Sequence, residues 1–194
     1  MLYLTEYRNA QMTDEELLAR YRQSNESTAS RETLLDELIR RNIDRIYRFV
    51  ASMVGKRDVV DDLVQDVLLS IVRNIDQFRG EASFSTWIYR IASNRVYRYL
   101  EQAKKSVPTV EADQLEAVID KKRDSPETNE LKHLIDAAIA ELSPALRAAM
   151  LLTTVEGFTP EEAAAIEGGT AANIHWRVHK ARKILKEQLK KHFD

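Results

Sequence analysis

Thirteen consecutive residues, Phe78-Arg79-Gly80-Glu81-Ala82-Ser83-Phe84-Ser85-Thr86-Trp87-Ile88-Tyr89-Arg90, hold four aromatics and two arginines. Aromatic rings stack on unpaired bases while guanidinium groups follow the backbone, the combination that captures single-stranded nucleic acid. The same rings also suit a helix core, and for Phe84, Trp87 and Ile88 both readings stand. Thr86, Arg90, Asn94 and Arg98 recur every fourth residue, which sets them along one polar, cationic helix face. An Asn between two Arg on such a stripe can read a base edge while its neighbours hold phosphates.

A second constellation lies between Thr159 and Lys191. A short Ala-rich stretch (Ala163, Ala164, Ala165) precedes Gly168-Gly169 and then a longer basic segment. Small residues let two helices cross closely and glycine permits the sharp turn between them, as a helix-turn-helix requires. In that reading Asn173, His175, Trp176 and Arg177 face base edges, and Lys180, Arg182 and Lys183 clamp phosphates. An ordinary helix junction has the same outline, so the motif alone leaves both possibilities open.

Charge is segregated along a chain whose net charge is only −2. Arg177–Lys191 carries seven Lys/Arg against one acid, and Ile88–Lys105 five against one. Ser106–Thr128 carries six acids against three bases. The two basic runs are either solvated helix faces or two places where a polyanion is held.

Other chemistries find little support. His175 and His179 stand one helical turn apart, but no HExxH glutamate or further ligand accompanies them, so no metal site is expected. No phosphate loop, nucleophile elbow or catalytic carboxylate pair is present, and no enzyme activity, cofactor or small-molecule substrate is expected. The chain has no cysteine, which excludes disulfides and thiolate metal sites. No apolar run approaches the roughly 18 residues of a membrane span, and the N-terminus lacks the pattern of a signal peptide. A cytoplasmic protein without membrane insertion is the expectation.

Helices must position both constellations. Gly (5) and Pro (4) are scarce, and apolar residues recur at helical spacing almost throughout. Thr13-Asp14-Glu15-Glu16 is a capping box for a short first helix, and Ser24 to Ser30 is a polar break. A long amphipathic helix follows, with Leu35, Leu38, Ile39, Ile43, Ile46, Tyr47, Val50 and Val54 inward, ending at Gly55-Lys56-Arg57. The next turns Val60, Leu63, Val64, Val67, Leu68, Ile71 and Ile75 inward and breaks near Phe78-Arg79-Gly80. Ser83 caps a fourth helix running past Leu100. Later helices are predicted at Glu130–Glu141, Pro144–Glu156, Pro160–Glu167 and about Ala171–Lys191, with Thr159-Pro160-Glu161-Glu162 as another capping box. The expected architecture is all-α: an N-terminal helical domain (1–104), a linker (105–128) with a helical turn at Leu115 to Ile119, and a C-terminal helix-turn-helix domain (129–194).

At these residues the chain resembles the extracytoplasmic-function group of bacterial sigma factors, the minimal two-domain members of the sigma-70 family. The resemblance rests on Asp14–Tyr21, on Asp61-Asp62-Leu63-Val64-Gln65-Asp66, on Phe78–Leu100, and on Leu142–Arg182. It implies a transcription initiation factor that directs core RNA polymerase to promoters and helps melt them. Asp61, Asp62, Leu63, Gln65, Asp66 and Leu69 would dock on the clamp helices of the polymerase. Arg79, Phe84, Thr86, Trp87, Tyr89, Arg90, Asn94, Arg95 and Arg98 would bind the −10 element. Thr170, Asn173, His175, Trp176, Arg177, Lys180, Arg182 and Lys183 would bind the −35 element, while earlier C-terminal helices meet the polymerase flap. The resemblance also implies an anti-sigma factor as partner. The chain departs from the family pattern in its Ser/Thr-rich break at Ser24–Ser30 and in the bulky His175 and Trp176. The rival reading is a helix-turn-helix regulator that binds duplex DNA independently of polymerase.

Overall fold

Thr13 opens the first helix, α1 (Asp14–Tyr21), as the spacing predicts: its hydroxyl accepts from the Glu16 amide, and the Glu16 carboxylate accepts in return from the Thr13 amide at 2.7 Å. The computed structural model describes residues 11–23, 27–55, 57–106 and 134–193. The expected linker's first two residues, 105 and 106, belong to the helix Phe84–Ser106, and the rest of it, with its turn at Leu115 to Ile119 and the predicted start of the next helix at Glu130, falls outside the described residues.

Helix α2 (Thr28–Val54) begins within the polar stretch expected to be a break. Ser27 is its cap, accepting from the Ser30 amide at 3.2 Å, so Thr28, Ala29 and Ser30 form the first turn. Serine and threonine that look like loop residues in sequence serve as helix starts once one of them satisfies an orphan amide. Gly55 ends α2 with φ +73°, the left-handed cap that glycine adopts without a Cβ clash.

Helix α3 (Arg57–Asn74) runs into a single 3₁₀ turn, Ile75–Gln77, and α4 (Phe84–Ser106) follows. Ser83 caps α4, accepting from the Thr86 amide at 3.1 Å. Apolar stripes of α1 to α4 meet in one core containing Leu17, Leu38, Phe49, Val60, Val67, Ile71 and Ile88, all essentially without solvent contact. Burial of each such side chain stabilises the fold by about 1.5–3 kcal/mol.

The C-terminal part holds a helical stretch over 134–140, then α5 (Pro144–Met150), α6 (Pro160–Glu167) and α7 (Ala171–Phe193). The single helix expected over Pro144–Glu156 is α-helical only to Met150 and widens to a π turn over Leu151–Val155, where the Glu156 amide reaches back to the Leu151 carbonyl at 3.0 Å. Among the described residues no helix is long and apolar enough to cross a membrane.

These C-terminal helices do not stand apart. Ala148, Ala149, Leu152, Phe158, Ala163, Ile166 and Ile174 join the same core as the N-terminal helices. Arg147, 6 % exposed, ties the two parts together: its guanidinium donates to the carbonyl of Met53 at 2.6 Å and to those of Ile139, Ala140 and Leu142. Burial lowers its pKa, and four carbonyl partners take the place of water around the charge. A smaller cluster of Ala138, Leu142, Leu146, Ala181 and Leu185 holds α7 on the 134–140 segment.

Candidate nucleic-acid interface

The loop before α4 is held from behind. Arg22 donates to the Phe78 carbonyl and lies 5.0 Å from the centre of the Phe78 ring. Asp76 accepts from Tyr21 at 3.2 Å and from Arg31 at 2.6 Å. Gly80 sits at φ +76°, and a Cβ there would lie 3.4 Å from the Arg22 guanidinium, so the turn and the brace together favour glycine. Phe78, Phe84 and Trp87 then pack as a triplet, with ring centres 5.0 to 6.0 Å apart.

Helix α4 divides the predicted −10 residues into two sets. Arg90, Asn94 and Arg98 are exposed along one stripe, as their spacing predicts, and Arg79 is exposed in the loop. Trp87 is half-buried at the rim of a cleft of about 280 Å³ that it shares with Phe78, Arg79, Thr86, Arg90 and Ala165. Arg95 is half-buried and paired with Asp66 of α3. By contrast, Phe84, Thr86 and Tyr89 lie in the interior, away from the exposed stripe. Phe84 fills the core below the loop. The Thr86 hydroxyl bonds the Ser83 hydroxyl at 2.9 Å, turning it inward from the ladder. Tyr89 is clasped from both sides, by Phe49 at 5.3 Å and by Phe158 at 4.9 Å, both edge-on.

The acidic helix shows a similar division. Asp61, Asp62 and Gln65 are exposed, and Leu69 (43 %) and Val72 (47 %) add apolar surface beside them. Leu63 is 4 % exposed and belongs to the core beneath these residues. Charged side chains next to exposed aliphatic ones on one helix are the usual make-up of a protein-binding face.

In the C-terminal part, Thr159 caps α6 through a complete capping box, and Gly168 and Gly169 make the turn at φ +76° and +114°. Thr170 opens α7, accepting from the Asn173 amide at 3.3 Å. Asn173, His175, Trp176 (60 %), Lys180, Arg182 and Lys183 are all exposed, while Ile174 and Ala181 fix the opposite face. The Lys180 ammonium stands 4.8 Å from the Trp176 ring centre, a cation-π contact that steadies both side chains. Arg177 is partly buried, 3.9 Å from Glu167. The geometry is that of a helix-turn-helix with an exposed, basic second helix.

Residues 38–106 match the family described as Sigma-70 region 2, and residues 139–188 match the sigma-like domain of the response regulator PhyR. The ECF RNA polymerase sigma-E factor of Escherichia coli is 29 % identical over 185 residues, covering 90 % of this chain and 93 % of that protein. Over most of its length the chain is thus similar to the extracytoplasmic-function sigma factors of the sigma-70 family. The ECF sigma factor SigE of Mycolicibacterium smegmatis is 27 % identical over 81 % of this chain and 62 % of its own length. Among solved structures, the sigma factor RpoE of Bartonella quintana, in complex with the anti-sigma factor NepR, is 25 % identical with a TM-score of 0.64 over 80 % of this chain and 96 % of that one. CnrH in complex with the cytosolic domain of CnrY shares the fold with a TM-score of 0.66 at 21 % identity, over 92 % of this chain and 97 % of that one.

Several residues central to this architecture escape the sequence reading. Glu156 accepts from Tyr89 at 2.5 Å and from Arg45 at 3.2 Å, with its side chain 5 % exposed. Glu167 accepts from Ser93 and Tyr97, each at 2.5 Å, with its side chain 1 % exposed. Burial and then the adjacent carboxylate push both phenols above their ordinary value. Nothing in the sequence marks these glutamates, since each stands at a helix end where an acid usually faces water.

Proposed function

We propose that this sigma factor recruits core RNA polymerase through α3, reads and melts the −10 element with α4 and its preceding loop, and reads the −35 element with α7. Support comes above all from one arrangement: an acidic-apolar face on α3, a cationic stripe on α4 and a basic helix-turn-helix are all exposed on one chain. A regulator acting on duplex DNA alone has no use for the first two.

Asp61, Asp62, Gln65 and Leu69 form the polymerase face, with Asp66 at its edge. Arg79, Trp87, Arg90, Asn94 and Arg98 form the −10 face. Stacking on an aromatic is worth about 1–3 kcal/mol per base, and a bidentate Arg or Asn contact discriminates by a similar amount. Neither suffices alone, so polymerase supplies the remaining affinity. Thr170, Asn173, His175 and Trp176 read the −35 duplex, and Lys180, Arg182 and Lys183 hold its backbone. The functional division is an N-terminal domain (1–104), a linker (105–128) and a C-terminal domain (129–194), working in the cytoplasm. Its partners are core polymerase, promoter DNA and an anti-sigma factor, the last supported by the company in which the related RpoE and CnrH structures are found.

Run-off transcription with core polymerase on a library of promoter fragments tests this reading. Specific transcripts should require the chain and vanish with Asp62→Arg or Asn94→Ala. Duplex binding without any polymerase-dependent transcript would overturn it.

A further inference from the structure

One face of α4 is covered by the C-terminal helices. Ala163, Ala164 and Ile166 of α6 are buried, and Glu156 and Glu167 flank that contact. Each carboxylate is almost wholly withdrawn from water, and each is bonded to hydroxyls that project from successive turns of α4: Tyr89, then Ser93 and Tyr97. Arg45 of α2 also holds Glu156, donating to its carboxylate and, at 3.0 Å, to its carbonyl. Buried charges with several donors are costly to leave unpaired, so such contacts break together or not at all.

This packing conflicts with promoter binding, on the reading given above. Elements at −10 and −35 are centred about 25 base pairs apart, or about 85 Å at 3.4 Å per pair. A compact chain of this length has a radius of gyration of only about 16 Å. In addition Ala165 of α6 forms part of the cleft beside Trp87 and Arg90, and Arg177 of the reading helix is turned toward Glu167. Residues 107–133 supply 27 residues of chain, which can reach at most about 90 Å. The chain therefore reaches both elements only with the C-terminal helices released.

We propose that Glu156 and Glu167 are a two-point latch, holding the C-terminal helices on the Tyr89–Ser93–Tyr97 face of α4 and keeping the free sigma factor closed to promoter DNA. Release exposes that face of α4 and frees Arg177 at once. Closure lowers apparent DNA affinity by the fraction of chains that are open.

The native chain has no cysteine, so Asp36→Cys on α2 and Glu187→Cys on α7, both exposed positions, accept a pair of spin labels uniquely. Electron–electron distance measurement on the full chain should give one narrow distribution. Adding Glu156→Lys and Glu167→Lys should broaden it and lengthen it by more than a helix diameter, about 10 Å. The same variant, without polymerase, should bind a fragment carrying both elements at least tenfold more tightly. Glu161→Lys, exposed on the same helix α6, should change neither reading. If the double Lys variant fails to fold, as judged by circular dichroism, Ser93→Ala with Tyr97→Phe replaces it and should give the same direction of change. An unchanged distribution in a folded latch variant overturns the proposal, as does a broad, long distribution in the wild type. Lengthening without any polymerase-dependent transcription would leave the latch standing and remove the promoter-recognition reading.

Discussion

The Asp66 carboxylate on α3 accepts a hydrogen bond from the Arg95 guanidinium on α4, so a residue at the edge of the proposed polymerase face is bonded to one beside the proposed −10 face. Both side chains are 41 % exposed, which limits the pair's worth to well under about 1 kcal/mol. Its effect is on availability. Asp66→Asn should leave thermal stability almost unchanged yet raise the free protein's affinity for single-stranded −10 DNA, with a steeper dependence on salt because one more cation can meet phosphate. Titrations at two salt concentrations check this; an unaltered salt slope would show that Arg95 takes no phosphate.

Leu63 and Leu69 separate support from contact. Leu63→Ala should cost about 2–5 kcal/mol in denaturant unfolding, as a cavity in a packed core does. Leu69→Ala should stay within about 0.5 kcal/mol in the same experiment, because its side chain is already 43 % exposed. Polymerase affinity, measured in a pull-down or by anisotropy, should fall for Leu69→Ala at temperatures where both variants are folded.

Trp176 is a large aromatic left 60 % exposed, touched by Lys180 and facing away from the core. Trp176→Ala should leave unfolding within about 0.5 kcal/mol of wild type. On promoter DNA it should reduce discrimination between the correct and a mutated −35 element, by about 1–3 kcal/mol if the ring meets a base edge. Comparison of holoenzyme binding to the two fragments makes the measurement.

Alkaline pH should loosen the contact between α4 and the C-terminal helices. Burial first, then Glu156 and Glu167, raise the Tyr89 and Tyr97 pKa values above 10.0. An unfolded chain gives up these protons near pH 10 while the folded one keeps them. Stability is thus complete below about pH 10 and falls as pH rises from there toward the raised values. Denaturant midpoints should decline with pH in that window. Tyr97→Phe should make the decline shallower, by up to about 1.4 kcal/mol per pH unit.

Much of this arrangement was legible locally. The capping boxes at Thr13 and Thr159, the Ser83 cap, the stop at Gly55 and the turn at Gly168-Gly169 all depend on neighbours within four residues, which spacing records. The exposed stripe Arg90, Asn94, Arg98 was legible for the same reason. Thr86 was not: it shares that spacing, but its hydroxyl found Ser83 and turned inward. The burial of Tyr89 was not legible because helical periodicity assigns α4 one buried face, whereas it has two, the second created by Phe158 about seventy residues later. The π turn and the burial of Glu156, Glu167 and Arg147 likewise depend on partners in the other half of the chain.

Arg147 and the continuous core have a calorimetric consequence. Leu152, Phe158 and Ile174 pack in the same apolar cluster as Phe49 and Ile88, and the Arg147 guanidinium spans from the end of α2 to the carbonyls before α5. Heat should therefore melt the closed chain in one endotherm, its calorimetric and van't Hoff enthalpies nearly equal. Once the C-terminal helices are lifted away, each part loses neighbours that shielded its apolar surface, and the single peak should split in two. Cooperativity of melting thus becomes a readout of whether the two halves are in contact, requiring neither a label nor DNA.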